Sequence, residues 1–268
     1  MHMGKEIRMN RLFNKRSGNT LVIALDHPVG WGVIPGIDAI RETMAKIVRA
    51  KPDAVTMLKG TAERVYAEFS SQIPFINKLT TFAPYHPAYD VKVGDVVEAV
   101  RLGADAVAIG CTVCGTDQRQ LLAQLGALSR DATEFGMPTV THIYPKGELI
   151  DKKDWYRPEH VMYAARAGAE LGIDIIKTFY TGDKHSYSRV IESCPARVVV
   201  SGGPKLPDVK DVFRMTRDAI DVGARGVTYG RNVWQSDKPI AMVHALKHII
   251  HKKGAVNEAL DIFNDSKE

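Results

Sequence analysis

In the stretch Gly172-Ile-Asp-Ile-Ile-Lys-Thr-Phe-Tyr-Thr-Gly-Asp183 a single cation, Lys177, ends a short, mainly apolar run from Ile173 to Ile176. Gly172 can end a helix, and Thr181, Gly182 and Asp183 can form a turn, so the run reads as a buried parallel strand. An unpaired ammonium is out of place there, because desolvation disfavours the charged form. The same desolvation yields a free amine, which can attack a carbonyl and condense to a Schiff base. The competing reading is a lysine at a strand end that reaches out to water.

Other apolar runs end in polar groups too. Asp26-His27 follows Thr20–Leu25, Lys59 follows Asp53–Leu58, Tyr144 follows Thr139–Ile143, Ser201-Gly202-Gly203 follows Arg197–Val200, and Gly230-Arg231 follows Gly226–Tyr229. Carbon–carbon cleavage through an imine needs an electron sink, which the protonated Schiff base on Lys177 supplies. It also needs proton transfer at the substrate hydroxyl and alpha carbon, and Tyr144 and Asp26 suit those tasks. Glycine lets the backbone approach a phosphate, to which Arg231 adds paired donors. Read alone, Tyr144 is a hydrogen-bonded strand-end tyrosine and Gly-Gly-Pro an ordinary turn.

These residues need elements to hold them. Further strands are expected at Phe75–Leu79 and Gly103–Ile109, with a long loop through Pro84, Tyr85, His86 and Pro87 between them. Helices are expected at Ile37–Ala50, Thr61–Phe69, Val96–Leu102, from an Asp117 cap to Glu134, and at Pro158–Leu171, Asp208–Val222 and Pro239–His251. Eight strand-then-helix units in 268 residues have the size and rhythm of an α/β fold, a single (β/α)8 TIM barrel. Leu102-Gly-Ala-Asp-Ala-Val107, Leu171-Gly-Ile-Asp-Ile-Ile176 and Val222-Gly-Ala-Arg-Gly-Val227 repeat the turn from helix into strand. We expect one domain over 1–268, with 1–18 an N-terminal extension and 252–268 a C-terminal tail. In such a barrel the strand ends share one mouth, and the loops after strands seven and eight often hold phosphate. The runner-up, a doubly wound open sheet, lacks a Gly-x-Gly-x-x-Gly after the first strand.

Composition narrows the function classes. With 45% hydrophobic and 25% charged residues the chain is globular, and no apolar run approaches the roughly 20 residues that cross a bilayer. The N-terminus Met1–Glu6 has no apolar signal core, and His2-Met3 reads as a cloning remnant, so we expect a cytoplasmic protein without membrane contact. The net charge of +5 is spread out, which favours small anionic ligands over nucleic acid. Cys111, Cys114 and Cys194 are too few for a disulfide scaffold.

Five motifs in order, Leu25-Asp-His27, Tyr144-Pro-Lys-Gly147, Ile176-Lys-Thr-Phe-Tyr-Thr-Gly-Asp183, Val200-Ser-Gly-Gly-Pro-Lys205 and Gly230-Arg-Asn-Val-Trp-Gln235, resemble the archaeal-type class I fructose-bisphosphate aldolases. The superfamily includes the 2-amino-3,7-dideoxyheptulosonate synthases and an autoinducer-processing thiolase. The resemblance runs from Arg8 onward. It implies a Schiff base at Lys177, acid–base work by Tyr144 and Asp26, phosphate on Gly202, Gly203, Gly230 and Arg231, no cofactor, a phosphorylated sugar substrate such as one that yields dihydroxyacetone phosphate, and a homo-oligomer, commonly a decamer. His27, Lys146 and Ser201 complete the expected substrate- and phosphate-binding set. Departures concern the acceptor: Pro28 follows Asp26-His27 where the family has glycine, Lys146 replaces arginine, and His142-Ile143 precede the tyrosine. The retained Tyr144 argues against the thiolase branch.

Besides a non-catalytic phosphate-metabolite binding protein, which would have no use for Lys177 beside Tyr144, three readings compete. The first is a synthase-like aldolase or transaldolase that joins a phosphoketosugar fragment to an aldehyde such as aspartate semialdehyde. The second is a phosphosugar isomerase or epimerase without an imine. The third is a metal-dependent aldolase, which needs a histidine cluster from His27, His86 and His142 or from His244, His248 and His251. The latter trio falls on the last outer helix, where packing or solvation accounts for it. Cys111-Thr-Val-Cys114 lacks a second pair, so no metal is expected.

Overall fold

Strands that are apolar on both sides are stable only between two layers, and here they close on themselves. The computed structural model describes residues 3–268, the side chains of His86 and Pro87 excepted. Its strands are β1 Thr20–Ala24, β2 Ala54–Leu58, β3 Phe75–Lys78, β4 Thr80–Ala83, β5 His86–Lys92, β6 Ala106–Val113, β7 Thr139–Pro145, β8 Ile175–Thr178, β9 Arg197–Ser201 and β10 Gly226–Tyr229. β1, β2, β3, β6, β7, β8, β9 and β10 form a closed parallel barrel in that order, with β10 returning to β1. The protein is therefore a (β/α)8 barrel. Among the described residues no helix is long and apolar enough to cross a membrane.

Strand side chains alternate, so each strand feeds two layers. Val22, Ala54, Ile76, Ala106, Ala108, Val140, Ile175 and Val199 face inward and form one apolar cluster. Leu21, Ile23, Val55, Met57, Phe75, Val107, Ile143, Ile176, Val198 and Val227 face outward, into the layer beneath the helices. Helix Gln118–Glu134 shows how the outer layer is covered: its buried residues Leu121, Leu125, Leu128 and Ala132 lie three or four apart on one face. Asp117 occupies its N-cap position, but its side chain makes no capping bond.

The stretch read as an N-terminal extension is a plug. Helix Met3–Leu12 closes the bottom of the barrel with Leu12, which is 1% exposed and joins the inner cluster. It is tied down by Lys5 to Asp174 at 2.7 Å and by Arg11 to Asp105 at 2.9 Å. The stretch read as a tail carries a further helix, Val256–Asp265, that packs through Ala259. The long loop expected between the third and fourth barrel strands is instead an antiparallel hairpin, β4 with β5. Of the expected remnant His2-Met3, His2 lies outside the described residues and Met3 begins the first helix.

Candidate active site

Alternation carries the inward rows up to the mouth of the barrel. Val140 leads to His142 and Tyr144 on β7, Ile175 to Lys177 on β8, and Val199 to Ser201 on β9, while Asp26 continues the inward row of β1. His142 and Lys177 are register partners on adjacent strands. Above them opens a cavity of about 720 Å³, lined by Asp26, His27, Tyr144, Lys146, Lys177, Ser201, Gly202, Gly203, Gly230 and Arg231 of the strand-end groups proposed from the sequence.

Lys177 is only 6% exposed. Burial lowers its pKa to about 8 against the opposing pull of Asp26, helped by the positive charges of Lys78, Arg231 and Lys146. Asp26 behaves oppositely. Burial alone would raise its pKa, but His27, Lys177 and Lys78 outweigh that and hold its carboxyl below the usual value. The His27 imidazole lies 3.6 Å from one carboxylate oxygen of Asp26 and that of His142 lies 3.8 Å from the other. Both imidazoles are kept neutral chiefly by burial, His27 with a pKa of about 4 despite Asp26. The Tyr144 hydroxyl donates to Ser201 Oγ at 3.1 Å, and burial raises its pKa, so it holds its proton. A partly deprotonated amine, an ionised carboxylate and a protonated phenol thus share one cavity, which is the equipment for forming an imine and moving protons around it.

The loops after β9 and β10 form a cradle. Gly203 has φ +64°, and a Cβ there would meet nothing within 4 Å, so its backbone stands open to the cavity. A Cβ on Gly230 would come within 2.5 Å of His27, so only glycine fits between the cradle and Asp26-His27. Asn232 braces the two loops by donating to Gly202 O at 2.7 Å and accepting from Leu206 N at 2.8 Å. Arg231 lies over the Trp31 ring at 5.1 Å, and its buried Nε has no partner among the described residues. Backbone N–H groups beside an unpaired guanidinium suit a phosphate.

Residues 20–236 match the family model described as DeoC/LacD family aldolase. This chain belongs to the DeoC/LacD aldolases. It is 35% identical to an uncharacterised aldolase of Saccharolobus solfataricus, over 97% of this chain and 99% of that one. It is 32% identical to the 2-amino-3,7-dideoxy-D-threo-hept-6-ulosonate synthase of Halobacterium salinarum, over 96% and 95% of the two chains. Among solved structures, a Schiff-base-forming fructose-1,6-bisphosphate aldolase superposes with TM-score 0.85 at 29% identity, covering 92% of this chain and 99% of that one. The protein is an enzyme, a class I aldolase, and the reading as an imine-free isomerase falls away.

The aldolase differs in places from what its sequence suggested. Lys59 does not enter the mouth: it opens helix Lys59–Arg64 and pairs with Glu98 at 2.7 Å on the outside. Its parity explains this, since Ala54 faces inward and Lys59 is an odd number of residues away. Ile143 is likewise turned outward and fully buried, so of the departures only His142 and Lys146 line the cavity. Lys146 sits over the rings of Tyr144, Trp155 and Phe179 at 5.0–5.3 Å, and burial with nearby Arg231 lowers its pKa to about 8. His248 pairs with Glu258 at 2.8 Å and His251 with Asp53 at 3.0 Å, both away from the mouth. The His86 side chain lies outside the described residues. Among those residues no group of three or more His, Cys, Asp or Glu is arranged to hold a metal ion.

Sequence reasoning missed Lys78, Thr80, Thr112 and Asp90, all of which line the cavity. Lys78 carried the same signal as Lys177, a cation inside the apolar run Phe75–Leu79, two residues after inward-facing Ile76. Asp90 carried no local signal, because it reaches the cavity from the hairpin.

Proposed function

We propose that Lys177 forms the Schiff base with a phosphorylated keto sugar, with its phosphate on Gly202, Gly203, Gly230 and Arg231. Tyr144 and Asp26 exchange protons with the substrate hydroxyl and alpha carbon, and His27, Lys146 and Ser201 bind the rest of the substrate. The observation that carries this reading is the buried Lys177 amine, with a pKa lowered to about 8, in one cavity with Asp26, Tyr144 and the cradle. In the cleavage direction the Lys177 amine attacks the ketone and water leaves. The iminium then accepts the electron pair of the breaking carbon–carbon bond while a base removes the hydroxyl proton, releasing an aldehyde. Protonation of the enamine carbon and hydrolysis return the amine and free dihydroxyacetone phosphate. Fructose 1,6-bisphosphate is the first substrate to test, supported by the likeness to a fructose-1,6-bisphosphate aldolase.

A second reading has comparable support. The relation to a 2-amino-3,7-dideoxy-D-threo-hept-6-ulosonate synthase, with His142 and Lys146 as departures in the cavity, fits an aldolase or transaldolase that passes the same donor to another aldehyde. Borohydride trapping with dihydroxyacetone phosphate or fructose 1,6-bisphosphate, followed by peptide mapping, tests the shared core. We expect an adduct on Lys177 and none in Lys177→Met. An adduct on another lysine, or none with either ligand, overturns the assignment. A wild-type adduct with dihydroxyacetone phosphate but no cleavage of fructose 1,6-bisphosphate selects the second reading.

A further inference from the structure

The inward residues of β6 below Thr112, namely Ala106, Ala108 and Gly110, are all small, and the room they leave is taken by longer side chains from either side. Lys78 of β3, in register with Ala108, rises into that space. Asp90 of the hairpin enters from above, and a Cβ on Gly110 would fall inside its carboxylate. The Lys78 and Asp90 side chains are 6% and 7% exposed and lie 3.7 Å apart. Thr80 Oγ1 ties them together: it accepts from Gly110 N at 2.6 Å and from Lys78 Nζ at 3.3 Å, and donates to Asp90 at 3.0 Å. That exhausts the hydroxyl, but not the lysine, whose ammonium carries three donors. One donor goes to Thr80 and one faces Asp90, which leaves one for the cavity that Lys78 lines.

The place of this pair in the ring gives it meaning. In the closed order β1, β2, β3, β6, β7, β8, β9, β10, strand β3 stands opposite β9 and β6 opposite β10. A donor held by its phosphate at β9 and β10, with its carbonyl carbon on Lys177 of β8, points its reacting carbon across the axis toward β3 and β6. We infer that Lys78 is a further catalytic residue of this aldolase, the cation that polarises the acceptor aldehyde and stabilises the alkoxide formed on its oxygen. In the condensing direction the enamine carbon attacks the aldehyde carbon, the carbonyl pair moves to oxygen beside Lys78, and the alkoxide then takes a proton from Tyr144. The nitrogen on Lys177 becomes iminium again, and Lys78 supplies charge and a hydrogen bond without net proton transfer. A buried donor aimed where charge develops typically accelerates a reaction by about a hundredfold or more. Asp90 and Thr80 are positioning residues that hold the Lys78 amine.

The inference rests on the Schiff-base reading above, and its test separates the two. Full-length wild type, Lys78→Met and Lys78→Gln are compared in three assays with dihydroxyacetone phosphate. These are borohydride trapping on Lys177, solvent deuterium exchange at the donor alpha carbon, and condensation with the fastest of a panel of short 2-hydroxyaldehydes. Losing the Lys78 charge should raise the Lys177 pKa and slow trapping and exchange somewhat below that pKa, so we expect condensation to fall about a hundredfold beyond any fall in trapping and exchange in Lys78→Met and less in Lys78→Gln. Retained trapping also shows that the variants fold. Condensation unchanged, or exchange falling in step with condensation, overturns the role of Lys78. Absence of trapping in wild type overturns the Schiff-base reading itself, and this inference with it.

Discussion

At the scale of single residues, the site depends on how burial treats charge. The same desolvation that lowers the Lys177 pKa to about 8 raises that of Tyr144, while surrounding cations keep Asp26 ionised. The sign of the pH dependence follows. Below about 8 the Lys177 amine is mostly protonated and cannot attack a carbonyl; as pH rises through about 8 it becomes free. The rate of imine formation, read by rapid borohydride quench, should therefore climb about tenfold per pH unit below that point and level off above it. A midpoint at the ordinary lysine value of 10.5 would show that burial does not activate the amine.

Among elements, the hairpin β4–β5 matters most. It is inserted between the third and fourth barrel strands and adds Thr80, Phe82, Ala88, Tyr89 and Asp90 to the cavity wall. Glu148, beyond β7, accepts from Tyr89 of the hairpin and from Thr116 beyond β6, which fastens the hairpin to the rim. The hairpin reaches inside only because β6 carries glycine at 110. Gly110→Ala should expel the Asp90 carboxylate, costing about 1–3 kcal/mol in urea unfolding and slowing condensation more than Lys177 trapping. A variant of wild-type stability and rate would mean that Asp90 has another place to sit. Lys78 was legible from its neighbours in the chain, since strand parity is local; Asp90 was not, because its position depends on an absent side chain 20 residues away.

The whole molecule separates stability at one end of the barrel from chemistry at the other. Helix Met3–Leu12 plugs the bottom, and Leu12 lies against Val22, Val140, Ile175 and Val199, far below the mouth. Leu12→Ala should cost about 2–5 kcal/mol, seen as a lower urea midpoint, and leave the rate of Lys177 trapping unchanged. A parallel fall in trapping would show that the plug supports the site through the inner layer.

The sequence by itself determined the eight strand-and-helix units and the strand ends that meet at the mouth, those carrying Lys177, Tyr144, Asp26 and the glycine cradle among them. These follow from local facts, apolar runs of strand length broken by polar or turn residues, which any barrel of this order gathers at one end. Only the tertiary structure decided that the 80–92 segment folds as a hairpin and that its Asp90 meets Lys78 inside the barrel. The physical reason is packing. Whether a long side chain enters the barrel depends on the parity of its strand and on the volume its neighbours leave empty, and that volume is set by residues distant in the chain.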